Sequence, residues 1–118
     1  MNKQTEHDEQ VLIFRWASLS TKKYPCLNFL HSSQNGMKMN IKQAVRAKRS
    51  GLIAGVPDIF LPYPHKGYAG LFIELKVGKN KTSASQKEFI AYLNSVGYLA
   101  HVCYGAGEAV RTIKEYLK

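Results

Sequence analysis

The sequence is poor in acidic residues, which leaves it strongly basic, and poor in cysteine, which excludes a disulfide-rich protein. Eight Asp and Glu stand against 17 Lys and Arg over 118 residues, so the formal net charge is +9. The two cysteines, Cys26 and Cys103, are too few for a disulfide framework. Neither stands in a C-x-x-C spacing, so the sequence offers no His/Cys ligand set for zinc.

Signals for membranes and export are also lacking. No apolar run approaches the roughly 18 residues that a membrane helix needs. Residues 1–10 are polar and contain no apolar signal core. Neither terminus carries a lipidation motif. We therefore expect a cytoplasmic protein of a bacterial or infected host cell that is not secreted.

The length and composition favour one folded domain. A chain of 118 residues can bury one core, and 45% hydrophobic residues with 21% charged residues exclude wholesale disorder. We expect a single domain over residues 1–118, with residues 1–4 flexible.

The positive charge favours a polyanionic partner, with nucleic acid ahead of an anionic membrane. Lys38, Lys42, Arg46 and Arg49 are spaced by four, four and three residues, which places them along one stripe of a helix. This stripe is interpreted either as a solvated helix face or as a row of phosphate contacts.

The hydrophobic pattern predicts an α/β domain with the order α-β-α-β-β-α-β-α. Its first helix, capped by Thr5, has an apolar stripe of Leu12, Ile13, Trp16 and Leu19. A strand is predicted at 27–30, followed by a helix at 41–49 with Gly51 as its left-handed cap and by strands at 58–63 and 71–77. The next predicted helix runs from a Ser83–Gln86 capping box to Gly97, and its inward-facing residues are Phe89, Ile90, Leu93 and Val96. The last predicted elements are a strand at 98–104, a turn at Gly105 and Gly107, and a helix at 108–117.

The connections between these elements predict a central mixed sheet flanked by helices. The unit from Leu71 to Cys103 has the form of a right-handed parallel crossover. The strands that carry Asp58 and Glu74 are joined by a short connection, so we expect them to pair antiparallel.

Three charged residues form the strongest chemical pattern. Glu74 and Lys76 lie two apart on an otherwise apolar strand, so their side chains leave the same face. Asp58 begins the preceding strand, and pairing of the two strands would bring it close to Glu74. Burying these charges is costly, and two converging carboxylates are relieved by a hard divalent cation. The alternative interpretation is an ion pair on a half-exposed strand.

Magnesium suits this pattern because it prefers oxygen ligands and shares its shell with substrate phosphate. The backbone carbonyl of Leu75 is a further candidate ligand. Lys76 would orient a water molecule or neutralise charge that develops on phosphorus.

Asp58, Glu74 and Lys76 belong to longer sequence motifs, and these motifs together are specific for one protein family. The sequence resembles the VRR-NUC (virus-type replication-repair nuclease) family of the PD-(D/E)xK superfamily, in its compact stand-alone form from bacteriophages and bacteria, over roughly residues 5–118. The matching motifs are Glu9-Gln10, Asn35-Gly36, Lys48-x-x-Gly51, Gly55-Val56-Pro57-Asp58, Gly70-Leu71-Phe72-Ile73-Glu74-Leu75-Lys76, Ser83-x-x-Gln86 and Gly97.

The resemblance implies a restriction-endonuclease-like core and a set of site residues. Asp58 and Glu74 would be ligands of Mg²⁺ or Mn²⁺, Lys76 the catalytic lysine, and Gln86 a supporting residue. Glu9 would reach the site from the first helix and is a further possible ligand, and Glu6 is its alternative on a similar face. The candidate DNA-binding residues are Asn35, Lys38, Lys42, Arg46, Arg49, Lys79 and Lys81.

The resemblance also implies a structure-selective DNA endonuclease that acts in DNA repair and recombination, for example on Holliday junctions. Because a four-way junction is two-fold symmetric, we expect a homodimer. The alternatives are a non-catalytic or partner-dependent binding module, a flap or single-strand nuclease, and an RNA-cutting relative.

Overall fold

The structure is a computed structural model that describes residues 4–33 and 39–118. Two of the predicted DNA contacts, Asn35 and Lys38, lie outside the described residues, as do residues 1–3 of the segment expected to be flexible. Within the described part of the chain, no helix is both long and apolar enough to span a membrane.

The predicted element order is confirmed, with one short helix added. The elements are α1 (Glu6–Leu19), a 3₁₀-helix (Pro25–Phe29), β1 (His31–Ser32), α2 (Ile41–Arg49), β2 (Ile59–Leu61), β3 (Leu71–Lys76), α3 (Ala84–Ser95), β4 (Leu99–Tyr104) and α4 (Gly105–Leu117).

The four strands form one mixed sheet in the order β1-β2-β3-β4. β2 pairs antiparallel with both β1 and β3, whereas β3 and β4 are parallel and are joined through α3. The predicted antiparallel and parallel pairings are therefore both confirmed. In the register of the sheet, Ile59 lies opposite Ile73 and Glu74 lies opposite Val102.

The strand predicted at 27–30 is wrong, because residues 25–29 form a 3₁₀-helix. Pro25 occupies its first turn, where its fixed φ suits a helical start. Leu27 and Leu30, three residues apart, are both buried, and this spacing matches the three-residue turn of a 3₁₀-helix. Strand pairing begins one residue later, at His31.

The turn predicted at Gly105 and Gly107 is also wrong, because both residues belong to α4. Gly105 has φ of 85°, which turns the chain directly from β4 into the helix. The Ala106 N–H is satisfied by the Glu9 carboxylate of α1, so this helix start needs no loop of its own.

Three side chains expected to face inward are exposed. They are Leu12 and Leu19 of α1 and Val96, which follows α3. α1 packs against α4, and the buried residues of α1 are Ile13 and Ala17, one turn apart. Leu19 lies beyond this contact at the end of the helix and is 82% exposed.

The core lies between the sheet and the pair α1 and α4. It contains the alternate residues Leu71, Ile73 and Leu75 of β3, together with Ala109 and Ile113 of α4. α2 stands apart from this core, since it has no buried residue. Gly51 follows α2 with φ of 107°, as predicted for its cap.

Candidate active site

The pairing of β2 with β3 brings the two acidic residues together. Asp58 directly precedes β2, and the Ile59–Ile73 register carries it to the position opposite Glu74. One oxygen of Asp58 accepts the Leu75 N–H at 2.8 Å, which extends the hydrogen bonding past the end of β2. The Asp58 carboxylate is therefore held in place by the backbone of the strand that carries Glu74.

Glu74 is a buried carboxyl group with an incomplete set of partners. It is 1% exposed. Oε2 accepts a hydrogen bond from Gln86 Nε2 at 3.2 Å and lies 3.7 Å from Lys76 Nζ. Oε1 is buried and has no hydrogen-bond partner, alone among the buried side-chain atoms of the described residues. A buried, unpaired carboxyl oxygen is unfavourable unless a further group binds it.

The surroundings of Glu74 favour its neutral form. Burial raises the pKa of Glu74, and the negative charge of Asp58 raises it further, to about 8. The Lys76 ammonium acts in the opposite direction and lowers this pKa. Lys76 is itself 8% exposed. When both carboxylates are ionised, the site carries more negative than positive charge, since Lys76 is a single cation.

Gln86 caps the start of α3 and also donates a hydrogen bond to Glu74. Its Oε1 accepts the Ser83 N–H at 2.8 Å, which completes the predicted capping box at the start of α3. Because the oxygen of the amide is held by this bond, the Nε2 group points to Glu74. The start of α3 thus fixes the orientation of a donor that holds one oxygen of Glu74.

A cleft of about 330 Å³ opens beside these residues, lined among others by Glu6, Gly55, Asp58, Glu74 and Gln86. Gly55 adopts a φ of 94°, and a Cβ atom at this position would overlap the backbone carbonyl of Ser85. The glycine thus allows the turn before Asp58 to pack closely against the start of α3, and these two segments form one wall of the cleft.

Of the two acidic residues considered on α1, the structure brings Glu6 to this cleft. Its charge also acts to raise the pKa of Glu74. Glu9 lies elsewhere, where its Oε1 accepts the Ala106 N–H at 3.1 Å at the start of α4. The resemblance implied that Glu9 reaches the site, but its carboxylate serves the contact between α1 and α4.

The predicted DNA-binding lysines and arginines that the structure describes are exposed. Lys42, Arg46 and Arg49 are exposed on α2, and Lys79 and Lys81 are exposed in the segment that follows β3. Lys79 lines a second cleft, which it shares with Glu9 and Tyr104.

The residues present suit a hard divalent cation. Asp58 and Glu74 supply the carboxylate oxygens that such ions prefer, and the unpaired Oε1 of Glu74 is the position where a cation would remove an unsatisfied group. The two carboxylates would share the ion, which would also relieve their mutual repulsion. The carbonyl of Leu75 as a further ligand stays a prediction.

Comparison with known proteins identifies the family of this fold. The VRR-NUC domain profile matches residues 2–107. The chain belongs to the VRR-NUC family. A solved structure described as a VRR-NUC domain protein superposes with a TM-score of 0.84 at 29% sequence identity, covering 99% of this chain and 91% of the other. No curated protein matches the chain significantly. The VRR-NUC domain therefore has a nuclease-type fold, as the sequence motifs predicted.

One cluster of possible metal ligands was not predicted from the sequence. His101, Cys103 and Glu108 place their ligand atoms within 4.8 Å of one another, although the spacing of the cysteines indicated no zinc set. The signal that was available is the alternation of β4, which puts residues two apart on one face.

Proposed function

We propose that this VRR-NUC domain is a Mg²⁺- or Mn²⁺-dependent endonuclease that hydrolyses phosphodiester bonds in branched DNA, such as Holliday junctions, and acts as a homodimer. The observation that carries the proposal is the unpaired, buried Oε1 of Glu74 beside the Asp58 carboxylate in an open cleft. A cytoplasmic location follows from this role.

The protein's own residues prepare the site for a cation. When held by Asp58 and Glu74, a divalent ion supplies Lewis acidity toward the phosphodiester and lowers the pKa of a bound water. Glu74 must lose its proton before it binds a cation, because its pKa is raised to about 8. The hydrogen bonds from Gln86 and the Leu75 N–H keep the two carboxylates oriented while this happens.

Lys76 has the position and charge of a catalytic lysine. Its ammonium is nearly buried and lies beside Glu74, where it would orient a water molecule or stabilise the charge that develops on phosphorus. We assign the acidic contribution of α1 to Glu6, which lines the cleft, in preference to Glu9.

DNA binding would rest on phosphate contacts, because the net charge is +9 and the described lysines and arginines among the candidate DNA-binding residues are exposed. Lys42, Arg46 and Arg49 follow the helical period along one side of α2. Recognition of a branch would then depend on DNA shape and deformability, which phosphate contacts can follow.

A homodimer follows from the symmetry of a four-way junction, which needs two sites related by a two-fold axis for symmetric cutting. The apolar side of α2 is the surface that we assign to the second copy. Ile41 and Val45 are exposed there, and together with the exposed Ile53, which follows the helix, they line a groove of about 390 Å³. Lys42, Arg46 and Arg49 do not line this groove, so a contact there would leave them free to bind phosphate.

The dimer is tested by light scattering coupled to size exclusion. We expect two copies for the wild type and a monomer for Val45→Asp, whereas Tyr92→Asp, at an exposed aromatic of α3, leaves the mass unchanged. A monomeric wild type, with and without junction DNA, would contradict the homodimer.

The activity is tested with labelled four-way junction, flap, single-stranded DNA and RNA, each with Mg²⁺ and with EDTA. We expect metal-dependent cutting of the junction, and a loss of at least roughly 100-fold in Glu74→Gln, because that change removes the anionic ligand. Glu88→Gln on the exposed side of α3 is the matched control and should cut normally. Tight binding of DNA without any cleavage would instead indicate a binding module.

A further inference from the structure

A second cluster of metal-ligating side chains lies on the other face of the sheet. In the parallel pairing of β3 with β4, His101 lies opposite Ile73 and Cys103 lies opposite Leu75. Ile73 and Leu75 face the core, on the side opposite to Glu74, because side chains alternate along a strand. His101 and Cys103 therefore lie on the face that is not occupied by the candidate active site.

Glu108 completes the cluster from the first turn of α4. One ligand atom of each of the three residues lies within 4.8 Å of the other two. In a tetrahedral zinc site, bonds of roughly 2.0–2.3 Å separate neighbouring ligand atoms by roughly 3–4 Å. The three ligand atoms would therefore need to approach one another by roughly 1–2 Å to bind such an ion.

The surroundings provide both access and a fourth position. His101 and Glu108 line an open cleft of about 570 Å³, together with Thr112. The Cys103 side chain is 0% exposed beneath them and donates to the Thr112 hydroxyl at 3.4 Å. An ion held by the three residues would face the cleft, where a water molecule can supply the remaining ligand of an open zinc site.

We propose that His101, Cys103 and Glu108 form a binding site for a thiophilic divalent ion of the zinc class, separate from the candidate active site. A thiolate and a carboxylate balance the charge of the ion, and a neutral imidazole adds no charge. Lys66 and Arg111 line the same cleft, so the local field is not generally attractive to cations. Binding must then rely on coordination by sulfur and nitrogen, which selects zinc-class ions over Mg²⁺ or Ca²⁺.

The expected effect of the ion is to stabilise the folded protein. β4 is an edge strand of the sheet, and α4 starts directly after it. A bound ion would tie this strand to the first turn of α4 and stabilise the folded chain by mass action. The proposal does not depend on the nuclease assignment, because no residue is shared between the two sites.

The test uses Co²⁺ as a spectroscopic probe for zinc, with metal-free full-length protein. We expect one equivalent of Co²⁺ to produce thiolate-to-cobalt charge-transfer absorption that Zn²⁺ displaces, and Zn²⁺ to raise the Tm. Cys103→Ser should abolish the absorption, and His101→Ala should weaken binding at least roughly tenfold. Cys26→Ser is the matched control for the thiol and should show the same thiolate-to-cobalt absorption as the wild type.

The His101→Ala and Glu108→Gln variants keep the test decisive even if Cys103→Ser does not fold, because His101 is exposed and Glu108 is half-buried. The proposal is overturned if the wild type shows no thiolate–cobalt absorption. It is also overturned if His101→Ala and Glu108→Gln bind Co²⁺ as tightly as the wild type, or if the absorption is lost in Cys26→Ser.

Discussion

The two faces of β3 differ in kind although they belong to one strand of six residues. Leu71, Ile73 and Leu75 point into the core and are satisfied by packing alone. Glu74 and Lys76 point to the other side, are almost as buried, and carry charges that the protein does not fully balance. The face with buried charges that lack full compensation is therefore the one that we expect to bind a ligand. The face with buried apolar side chains stabilises the fold.

The largest effect is expected from removing the charge of Lys76. Lys76→Met should lower the cleavage rate at least roughly 100-fold, because Lys76 is the one cation paired with Glu74 among the residues that the structure describes. It should also raise the pKa of Glu74 further, since the Lys76 charge lowers it. The pH–rate profile should thus move to higher pH, while the exposed control Lys79→Met leaves it in place. An unmoved profile would contradict the role given to Lys76.

A smaller loss is expected from Gln86→Ala, which removes the donor to Glu74 Oε2. Loss of a group that orients a metal ligand costs roughly 10- to 100-fold in activity or metal affinity. The same change removes part of the α3 capping box, so Ser83→Ala is the matched control, because it weakens the cap without touching Glu74. Equal activity losses in the two variants would show that Gln86 acts through the helix cap.

The affinity for Mg²⁺ should depend on pH. Glu74 binds the ion in its ionised form, and its pKa is raised to about 8. Each unit of pH below that value should therefore weaken Mg²⁺ binding roughly tenfold, with release of one proton. Calorimetry in buffers of different ionisation enthalpy measures both quantities. Binding that is independent of pH between 6 and 8, with no proton release, would rule out Glu74 as the titrating ligand.

The smallest effect concerns stability. The folded chain keeps the Glu74 proton above the ordinary pKa of 4.5, whereas the unfolded chain loses it, so the free energy of unfolding falls as pH rises from 4.5 to about 8. Glu74→Gln removes this penalty and should stabilise the metal-free protein at pH 8 by roughly 1–3 kcal/mol. Urea denaturation at pH 5 and pH 8 checks this. A variant that is less stable than the wild type at pH 8 would contradict the assigned burial.

Much of the fold and the centre of the site could be predicted from local pattern. Glu74 and Lys76 stand out because charges two apart on an apolar strand must share a face, and the short connection to Asp58 indicates antiparallel pairing. Glu9 could not be placed, because its direction depends on how α1 packs on α4. The cluster of His101, Cys103 and Glu108 also arises from tertiary structure, since it joins a strand to the helix that follows.

A crystal of the wild-type protein soaked in Mn²⁺, with the ion located by anomalous scattering, tests the metal site most directly. We expect an ion bound by Glu74 Oε1 and the Asp58 carboxylate, at roughly 2.1 Å from their oxygens. Anomalous density at His101 and Cys103 alone, or Asp58 and Glu74 bound to no common ion, would contradict this expectation.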